Sequence, residues 1–482
     1  MEHKTVVTYI TGALLGSSCY LIDWYCGSVW YRVMVDFGVE FDKWDGDDSP
    51  LLKKFYGRKV VAPKLDSEMF AVKKIDAVLV THNHLDHCGG LPMLLEYMTD
   101  DAKIWSTTLS SDILEHVFED TITNSPYLFD IFEKDEALSR RAVVPYGEFE
   151  LLPCLKIFVK DAGHLLGAAS FIFDLGNGDK GIITGDIALH DQPIALGTSL
   201  CSQVLPEEWL PNHVFGADFT HGGADHPRLN YDDEMQKLCD KVAEVLAGGG
   251  KVVIPAFAHG RGQHIAASLA RLGFTVYIDG AIGPVMRTYA QHVEFDFPLD
   301  RIRVIEKGPE GRIQREHLLK SKEPVVVVTT SGMGDGGPIG SYLRAWGADP
   351  NNAILFTSYL TPRSTGDRIL KLSKKYECFT VEISDEREGI IEVDIAAFVA
   401  RYHLTAHADI FDFARFVEDM VTARGGTKLK VLALTHGTEK TLSYAHELFD
   451  KYAQRVVIPF PGQQIEVTGN NCDDTDMTAV AS

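Results

Sequence analysis

The densest group of chemically reactive side chains lies in the segment THNHLDHCGG, residues 81–90, where three histidines and an aspartate follow one another closely. It directly follows an apolar run, residues 75–80, that predicts a buried strand. Loops at the carboxyl ends of strands are where α/β folds place their sites. Alternate positions of this loop can point to one side and bind a metal ion, and the next pair can bind a second. The ligands expected from this loop are His82, His84, Asp86 and His87.

Further residues with metal-binding side chains lie beside predicted strands. They are His164, Asp186 and His436. Nitrogen and oxygen ligands suit zinc, and a hydrolytic site needs an open position for the attacking water. Asp186 is the natural bridge, because one carboxylate can offer its two oxygens to two cations about 3.5–4 Å apart. The pattern therefore predicts a two-metal hydrolytic centre.

Other residues are candidates for supporting roles. Asp36 ends a predicted strand, and orienting a metal-bound histidine fits that position, although a structural turn fits almost as well. Arg261 opens a predicted helix in HGRGQH, and Ser331 and Gly332 lie in the glycine-rich segment SGMGDGG. A guanidinium, a hydroxyl and free backbone N–H groups suit phosphate. Tight turns of an α/β domain are the alternative interpretation.

The elements that must position these residues alternate between strands and helices. Strands are predicted at 5–11, 18–23, 29–36, 75–80, 155–159, 170–174, 180–184, 251–255, 275–278, 325–329, 353–357, 430–434 and 455–458. Helices are predicted at 91–98, 232–246, 262–271, 410–420 and 439–451, with Asp409 as the N-cap of the fourth. The first two strands are predicted to form a sheet edge, and residues 40–67 are predicted to form a polar loop. The tail from residue 470 is predicted to be frayed. The alternation over about 230–395 is typical of a parallel sheet.

Composition sets limits on function. The 482 residues carry 46 basic and 68 acidic side chains, a net charge of −22, which excludes binding of nucleic acid by bulk electrostatics. Eight cysteines are scattered without a C-x-x-C pair, which indicates buried thiols in a reducing compartment. No apolar run is long enough for a transmembrane helix, so we expect a cytoplasmic protein that does not bind membranes.

Several segments together resemble the β-CASP branch of the metallo-β-lactamase superfamily, a group of nucleic-acid hydrolases. GALLGSSCYLI resembles the opening hairpin, THNHLDHCGG the HxHxDH motif, and AGHLLGAAS and TGD the next two metal motifs. FGADFTHGG resembles the β-CASP acidic motif, and YHLTAHAD and ALTHGTEK resemble two late histidine motifs. KVVIPAFAHGRGQH, VVVVTTSGMGDGGP and ILFTSYLTPRSTGDRIL resemble the β-CASP insert. The likeness extends from about Tyr9 to Val467.

The resemblance implies an α/β fold, an αβ/βα metallo-β-lactamase sandwich with an inserted β-CASP cap. The sandwich would comprise residues 1–222 and 399–470, the cap residues 223–398, and a polar tail residues 471–482. It implies two zinc ions per chain. One would be bound by His82, His84, His164 and Asp186, and the other by Asp86, His87, Asp186 and His436. His407 would be the general acid beside Asp218. Thr405, which stands where a serine is more usual, would be a phosphate- or RNA-binding residue.

The resemblance also favours a substrate class. GHLLGAAS is similar to the cleavage-and-polyadenylation endonucleases rather than to ribonuclease J, and His436 stands where DNA crosslink-repair members have valine. It therefore implies endonucleolytic cleavage of single-stranded RNA, in processing or decay, with a homodimer or processing factors as candidate partners. The alternatives are a DNA nuclease, a 5′–3′ exoribonuclease, a small-molecule metallo-hydrolase such as a thioesterase or lactonase, and an inactive scaffold subunit. The acidic motif reads Asp-Phe-Thr rather than Glu-Ser-Thr, and the strong acidity is unusual for an RNA enzyme.

Overall fold

The computed structural model describes residues 3–41, 60–176, 178–198, 205–221 and 230–468. Their strands are β1 (His3–Tyr9), β2 (Tyr20–Cys26), β3 (Val29–Val35), β4 (Glu40–Phe41), β5 (Val60–Val61), β6 (Ile75–Leu79), β7 (Met98–Ser106), β8 (Arg141–Val143), β9 (Gly147–Leu152), β10 (Leu155–Asp161), β11 (Ala169–Gly176), β12 (Asp179–Ile183), β13 (His213–Gly216), β14 (Val252–Pro255), β15 (Val276–Asp279), β16 (Ile302–Val304), β17 (Val326–Thr329), β18 (Ala353–Phe356), β19 (Phe379–Asp385), β20 (Gly389–Ile395), β21 (Phe398–Arg401), β22 (Leu429–Ala433), β23 (Ala453–Val457) and β24 (Gln463–Thr468).

Twelve α-helices lie in the same described ranges. They are α1 (Ser67–Val72), α2 (Leu85–Cys88), α3 (Thr108–Asn124), α4 (Ile131–Ser139), α5 (Tyr231–Ala247), α6 (Arg261–Arg271), α7 (Ile282–His292), α8 (Gly308–Lys320), α9 (Ile339–Trp346), α10 (Thr365–Ser373), α11 (Ile410–Ala423) and α12 (Glu439–Phe449). Short 3₁₀ helices occupy Leu91–Tyr97, Glu207–Trp209 and Leu299–Arg301.

Two seven-stranded sheets pack face to face. Their strand orders are β24-β1-β2-β3-β6-β7-β8 and β23-β22-β13-β12-β11-β10-β9. Apolar side chains of both sheets, such as Trp24 and Phe171, form the core between them. Helices α3 and α4 cover the outer face of the first sheet, and α11 and α12 cover the outer face of the second. The layers are therefore the expected αβ/βα sandwich.

A third sheet is formed by the middle of the chain, in the order β16-β15-β17-β14-β18-β21. Every strand pair in it is parallel, as the alternation of strands and helices predicts. Its central strands β14 and β17 are buried along their whole length. Continuous apolar runs of this kind are typical of a parallel sheet that is covered on both faces. Separate apolar clusters on the two faces supply that cover.

Several sequence predictions need correction. The helix predicted at 91–98 is a 3₁₀ helix, Leu91–Tyr97, preceded by the one-turn helix α2, and it ends there because Met98 already pairs with Ile75 in the sheet. The first strand is not a sheet edge, because β24 pairs with it on its outer side. The pattern also did not indicate α3, α4 and α7–α10, nor the antiparallel hairpin of β19 and β20.

The polar segment 40–67 is only partly described, and its described ends include the short pair β4–β5. The tail from residue 469, the junction at 222–229, Cys201 and Cys472 lie outside the described residues. All six described cysteines are free thiols; four are buried as expected, whereas Cys154 and Cys378 are exposed. No helix in the described ranges is both long enough and apolar enough to cross a bilayer.

Candidate metal centre

Loops that leave neighbouring strands converge where the two seven-stranded sheets end. The loop after β6 carries the HxHxDH segment, and His164 lies between β10 and β11. Asp186, Asp218 and His436 follow β12, β13 and β22, which are consecutive parallel strands of one sheet. Because the carboxyl ends of parallel strands meet at one edge, these three side chains are brought to the same place.

Three histidines and one aspartate form the first group. Their ligand atoms all lie within 4.8 Å of one another: His82, His84, His164 and Asp186. Nδ1 of His84 lies 3.2 Å from Nε2 of His82 and 3.1 Å from Nε2 of His164. The Oδ2 atom of Asp186 lies 3.6 Å from His82 Nε2 and 3.8 Å from His164 Nε2.

The second group lies on the other side of Asp186. It contains Asp86, His87 and His436. Oδ1 of Asp186 lies 3.3 Å from His87 Nε2 and 3.3 Å from His436 Nδ1, and Asp86 Oδ2 lies 3.4 Å from His436 Nε2. Asp186 is 2% exposed and turns one oxygen to each group. This is the arrangement expected of a bridging carboxylate.

Hydrogen bonds around the first group leave unprotonated nitrogens facing inward. Nδ1 of His164 donates to the carbonyl oxygen of Ala406 at 2.7 Å, so its Nε2 carries a lone pair. Nε2 of His84 faces the carbonyl oxygen of His259 at 3.4 Å, so its Nδ1 carries a lone pair as well. These two lone pairs point at each other across 3.1 Å. A cation between them removes this repulsion, so the residues fit a divalent metal.

Unpartnered buried atoms in the second group support the same fit. His87 Nε2, Asp186 Oδ1 and His436 Nε2 are buried and accept or donate no hydrogen bond among the described residues. Buried polar atoms without partners are rare in folded proteins and call for an explanation such as an ion. Imidazole nitrogen and carboxylate oxygen are the donor atoms that zinc accepts.

The histidines of the two groups differ in the direction in which their pKa values are shifted. Burial holds the pKa of His82 and His164 well below the ordinary value, so both are neutral, as metal ligands must be. Burial also opposes charge on His87, but the carboxylates of Asp186 and Asp36 outweigh it and raise the pKa of His87 to about 10. Asp186 likewise raises the pKa of His436. The carboxylates that contact His87 and His436 therefore favour a positive charge at the second group.

Asp36 lies behind the centre, where its predicted supporting role would place it. Its Oδ2 atom accepts hydrogen bonds from His87 Nδ1 and from the Thr81 hydroxyl, both at 2.8 Å, and its Oδ1 atom accepts from Thr81 N at 2.8 Å. The bond to Nδ1 aims Nε2 of His87 toward Asp186. Asp36 has a positive φ of 58°, and its three hydrogen bonds hold that conformation.

His407 and Asp218 form a pair at the margin of the first group. His407 Nδ1 donates to Asp218 Oδ2 at 2.8 Å and lies 3.9 Å from Asp186 Oδ2. Burial opposes the charge on His407, but Asp218 outweighs it and raises the pKa of the imidazole. The same contact holds the pKa of Asp218 far below its usual range. Asp409 caps helix α11 through Phe411 N and Asp412 N, as predicted, so His407 is not used as the cap.

The predicted phosphate-binding residues lie at the carboxyl edge of the six-stranded sheet. Arg261 donates through Nη1 to the carbonyl oxygen of Thr357 at 2.7 Å, and the Ser331 hydroxyl donates to the carbonyl oxygen of Asp335 at 2.7 Å. A Cβ atom on Gly332 would lie 3.0 Å from backbone atoms of the neighbouring loop. The Thr405 hydroxyl accepts from His407 N at 3.1 Å, which ties it to the imidazole. Arg261, Ser331 and Gly332 do not belong to either group of candidate metal ligands.

Sequence reasoning missed three residues that contact the centre. Thr81 bonds Asp36, the Thr220 hydroxyl lies 3.0 Å from His436 Nδ1, and the buried ring of His259 packs against His84 with ring centroids 5.9 Å apart. Thr81 and Thr220 were visible as neighbours of His82 and Asp218. His259 is 175 positions from His84 along the chain, so only the fold reveals that contact.

A family model described as the Beta-Casp domain matches residues 262–369, and one described as the Beta-lactamase superfamily domain matches residues 54–198. "RNase aCSPSF2" of Saccharolobus solfataricus is 26% identical over 448 residues, which is 90% of this chain and 80% of that protein. "Probable RNase MJ4" of Methanocaldococcus jannaschii is 25% identical over 427 residues, 85% of this chain and 92% of that protein.

Other relatives are longer than the aligned region. "Transcription termination factor FttA" of Pyrococcus horikoshii is 28% identical over 319 residues, 61% of this chain, and the chain spans only 48% of its length. For FttA of Thermococcus kodakarensis that share is 60%. A solved structure of a protein of unknown function from Enterococcus faecalis has a TM-score of 0.59 at 13% identity, covering 96% of this chain and 100% of that one. That likeness shows the fold alone.

Proposed function

Because the chain belongs to the β-CASP family of the metallo-β-lactamase superfamily, we propose that it is a zinc-dependent hydrolase that cuts RNA internally. The observation that carries the proposal is the inward-facing set of imidazole nitrogens and carboxylate oxygens shared through Asp186, with His407 beside it. A two-metal centre next to a proton donor is suited to phosphodiester hydrolysis.

The matched regions support a division of the chain into two domains. We assign the metallo-β-lactamase domain to residues 1–222 and 399–470, and the β-CASP domain to residues 223–398. Each matched range falls inside one of these regions.

Two zinc ions would be held by the two groups of the centre, with Asp186 common to both. Such ions supply a bound water of lowered pKa as nucleophile and neutralise charge on the phosphoryl oxygens. The protein's own part is to fix the donor atoms. Asp36 and the carbonyl oxygen of Ala406 do this by holding the outer nitrogens of His87 and His164.

His407 is suited to protonate the departing oxygen of the substrate. A leaving alkoxide is strongly basic and needs a proton, and Asp218 keeps the imidazole charged and oriented. The side chain of His407 is 18% exposed, whereas that of Asp218 is fully buried. The donor can therefore reach a substrate, and its carboxylate partner is shielded from water.

RNA is favoured as substrate because relatives that align over most of this chain are named as RNases. The internal mode of cleavage rests on the GHLLGAAS segment, which is similar to that of cleavage-and-polyadenylation endonucleases. His436, which stands where DNA crosslink-repair members have valine, favours RNA over DNA.

The test compares four nucleic acids with the purified protein: a linear RNA, the same RNA closed into a circle, an RNA with a 5′ monophosphate, and a matched single-stranded DNA. We expect the linear and circular RNA to be cut to oligonucleotides, and a chelator to stop the reaction. Faster cleavage of DNA would contradict the substrate. Cleavage of 5′-monophosphate RNA alone, to mononucleotides, would instead identify an exonuclease.

The metal assignment has its own test. The purified protein should contain about two zinc equivalents per chain, and His84→Ala should lower that content and abolish hydrolysis, as measured by elemental analysis and RNA cleavage. His317→Ala is the matched control, because His317 is exposed on helix α8. A His84→Ala protein with full zinc content and full activity would refute the ligand set.

A further inference from the structure

Two arginines lie side by side at the carboxyl edge of the six-stranded sheet. Arg401 ends β21 and pairs in register with Phe356, the last residue of β18. Arg261 begins helix α6 and reaches across to the carbonyl oxygen of Thr357, the next residue after β18, at 2.7 Å. The two guanidinium groups therefore occupy the ends of neighbouring strands.

Neither guanidinium is neutralised by the part of the chain that the structure describes. Arg261 and Arg401 form no ion pair with a described carboxylate. Asp367 interacts with Arg401 at longer range, but it is bound to Lys371 and to Arg363 N. Burial lowers the pKa of Arg261, and the positive charge of Arg401 lowers it further. Two like charges are thus held together in a partly buried place.

Polar atoms at this edge are left without partners as well. The Nε atoms of both arginines, the hydroxyl of Ser358 and the hydroxyl of Tyr231 are buried and make no hydrogen bond among the described residues. Ser358 is 3% exposed, and Tyr231, which lies near Arg261, is 5% exposed. Leaving several buried donors unsatisfied is costly, and a bound anion would satisfy them and offset the repulsion between the arginines.

An exposed aromatic ring adjoins these donors. Tyr359 directly follows Ser358, is 54% exposed and lies near Arg401. Single-stranded nucleic acid is typically bound by cationic groups that contact its backbone, together with aromatic rings that stack on its bases. The ring therefore favours a nucleotide strand over a free inorganic anion as occupant.

The edge is also connected to the proton donor. β21 runs from Arg401 directly into the loop that carries Thr405 and His407. The carbonyl oxygen of Thr405 lies 3.0 Å from His190 Nε2, and the His190 ring lies 5.1 Å from that of Tyr231. A strand that passes these arginines thus lies next to the candidate metal centre.

We propose that this edge is a subsite for one backbone phosphate of the RNA substrate, beside the cleavage site. Its donors are Arg261, Arg401, Ser358 and Tyr231, and Tyr359 stacks on the adjacent base. The subsite rests on the proposed ribonuclease function. It supplies local positive charge for a polyanion on a chain with a net charge of −22, because neither arginine is paired with a described carboxylate.

The test measures binding of a single-stranded RNA of about 12 nucleotides to the metal-loaded protein, in a His407→Ala background that slows cleavage. Arg401→Gln should weaken binding about tenfold and reduce the slope of log affinity against log salt by about 0.7, the value for one phosphate contact on a single strand. Arg401→Lys should retain most of the slope. Tyr359→Ala should weaken binding about fivefold or more without changing the slope.

Arg344→Gln is the matched control, because Arg344 is already paired with Asp385 and Glu388. It should leave affinity and slope unchanged. Thermal melting checks folding, and Arg401→Gln should melt no lower than the parent, because it removes one of two repelling charges. In the protein with His407 intact, Arg401→Gln should raise the KM for RNA much more than it lowers kcat.

The results separate this subsite from the proposed function. Equal affinity and equal salt slope for Arg401→Gln and the parent, with RNA still cut, would overturn the subsite alone. Binding of inorganic phosphate that depends on Arg401, with RNA binding that does not, would also overturn it and assign the edge to a free anion. A parent protein that neither binds nor cuts RNA would overturn both proposals.

Discussion

His407 differs from His164, a histidine of the first metal group, in the partner that holds it. His164 is oriented by a backbone carbonyl, which leaves the imidazole neutral, whereas His407 is oriented by the carboxylate of Asp218 at 2.8 Å. A carboxylate partner favours the imidazolium, which can give up a proton. The neutral imidazole of His164 therefore suits a metal ligand, and the protonated imidazole of His407 suits a proton donor. His87 also has a carboxylate partner, Asp36, but its Nε2 atom faces Asp186 within the second metal group.

The role of His407 as a proton donor predicts the zinc content and the cleavage rate of His407→Ala. Both zinc ions should remain, because the change removes a proton donor and not a ligand. Cleavage of RNA should fall by roughly 10²–10⁴-fold, the usual contribution of general acid–base catalysis. Asp218→Asn should cause a smaller loss, since it weakens the orientation of the donor without removing it. Elemental analysis and single-turnover kinetics measure these effects.

The leaving group supplies the control for His407. A nitrophenyl phosphodiester releases a weakly basic oxygen that needs no proton, so on it His407→Ala should be nearly as active as the parent. An equal loss of rate on both substrates, or a loss of zinc, would mean that His407 positions phosphate or binds metal, and its role as proton donor would be wrong.

His213 predicts a dependence of stability on pH away from the metal centre. Burial lowers its pKa to about 4 in the folded protein, below the ordinary value of about 6.5 expected in the unfolded chain. As the pH falls between these values, the unfolded chain takes up a proton that the folded protein does not, so stability is lost. From about pH 7 to about pH 5, this amounts to about 2 kcal/mol.

The measurement is urea unfolding at the two pH values. His213→Gln should lose about 2 kcal/mol less than the parent on acidification, whereas the exposed control His317→Gln should follow the parent. Nδ1 of His213 lies 2.9 Å from the side-chain oxygen of Asn212, so glutamine keeps a polar group in place. Parallel curves for His213→Gln and the parent would contradict the assignment.

At the scale of elements, the loop after β3 and the loop after β6 touch through their backbones. A Cβ atom on Gly38 would lie 1.7 Å from the carbonyl oxygen of Asp86, and that carbonyl also accepts a hydrogen bond from Ser18 N at 2.7 Å. The segment that carries four of the expected ligands is therefore held against two neighbouring loops. Only a glycine allows so close an approach.

Gly38→Ala should displace the ligand loop, because the obstacle is backbone and not a flexible side chain. We expect the unfolding free energy to fall by about 1–3 kcal/mol or more, and zinc affinity to fall with it, as measured by urea unfolding and metal titration. Gly248→Ala is the control, since a Cβ atom there would make only ordinary contacts. Unchanged zinc affinity in Gly38→Ala would show that the loop tolerates the shift.

At the scale of the whole molecule, the two ends of the described chain lie in one sheet. β24 pairs antiparallel with β1 over its whole length, and Ile465 packs fully buried in the core between the two seven-stranded sheets. The sandwich is therefore closed by residues at opposite ends of the sequence. The middle of the chain, with its own parallel sheet, is enclosed between these ends.

Ile465→Ala should lower the unfolding free energy by about 2–5 kcal/mol, because it leaves a cavity in a packed core. Gln464→Ala, one position away on the exposed side of the strand, should change it by no more than about 0.5 kcal/mol. Urea unfolding compares the two. Similar small effects for both variants would show that β24 contributes little to the fold.

Local sequence patterns predicted many of the strands, one helix cap and the candidate metal centre of this protein. The apolar runs before the HxHxDH segment and before Asp186 predict strands, and both strands are present, since a short continuous apolar run is buried wherever it lies. The alternation of helices and strands in the middle predicted the parallel sheet, and Asp409 was predicted as an N-cap. The histidines and aspartates at strand ends predicted a metal centre.

Tertiary structure alone decided which of these residues meet and how. That Asp186 turns one oxygen toward each group, that His259 packs on His84, and that β24 closes the sheet beyond β1 all depend on contacts between distant segments. The two arginines at the edge of the parallel sheet, which form no ion pair with a described carboxylate, are also brought together only by the fold. Local sequence encodes the period and the capping of an element, but register and strand order arise from packing across the whole chain, which no local pattern records.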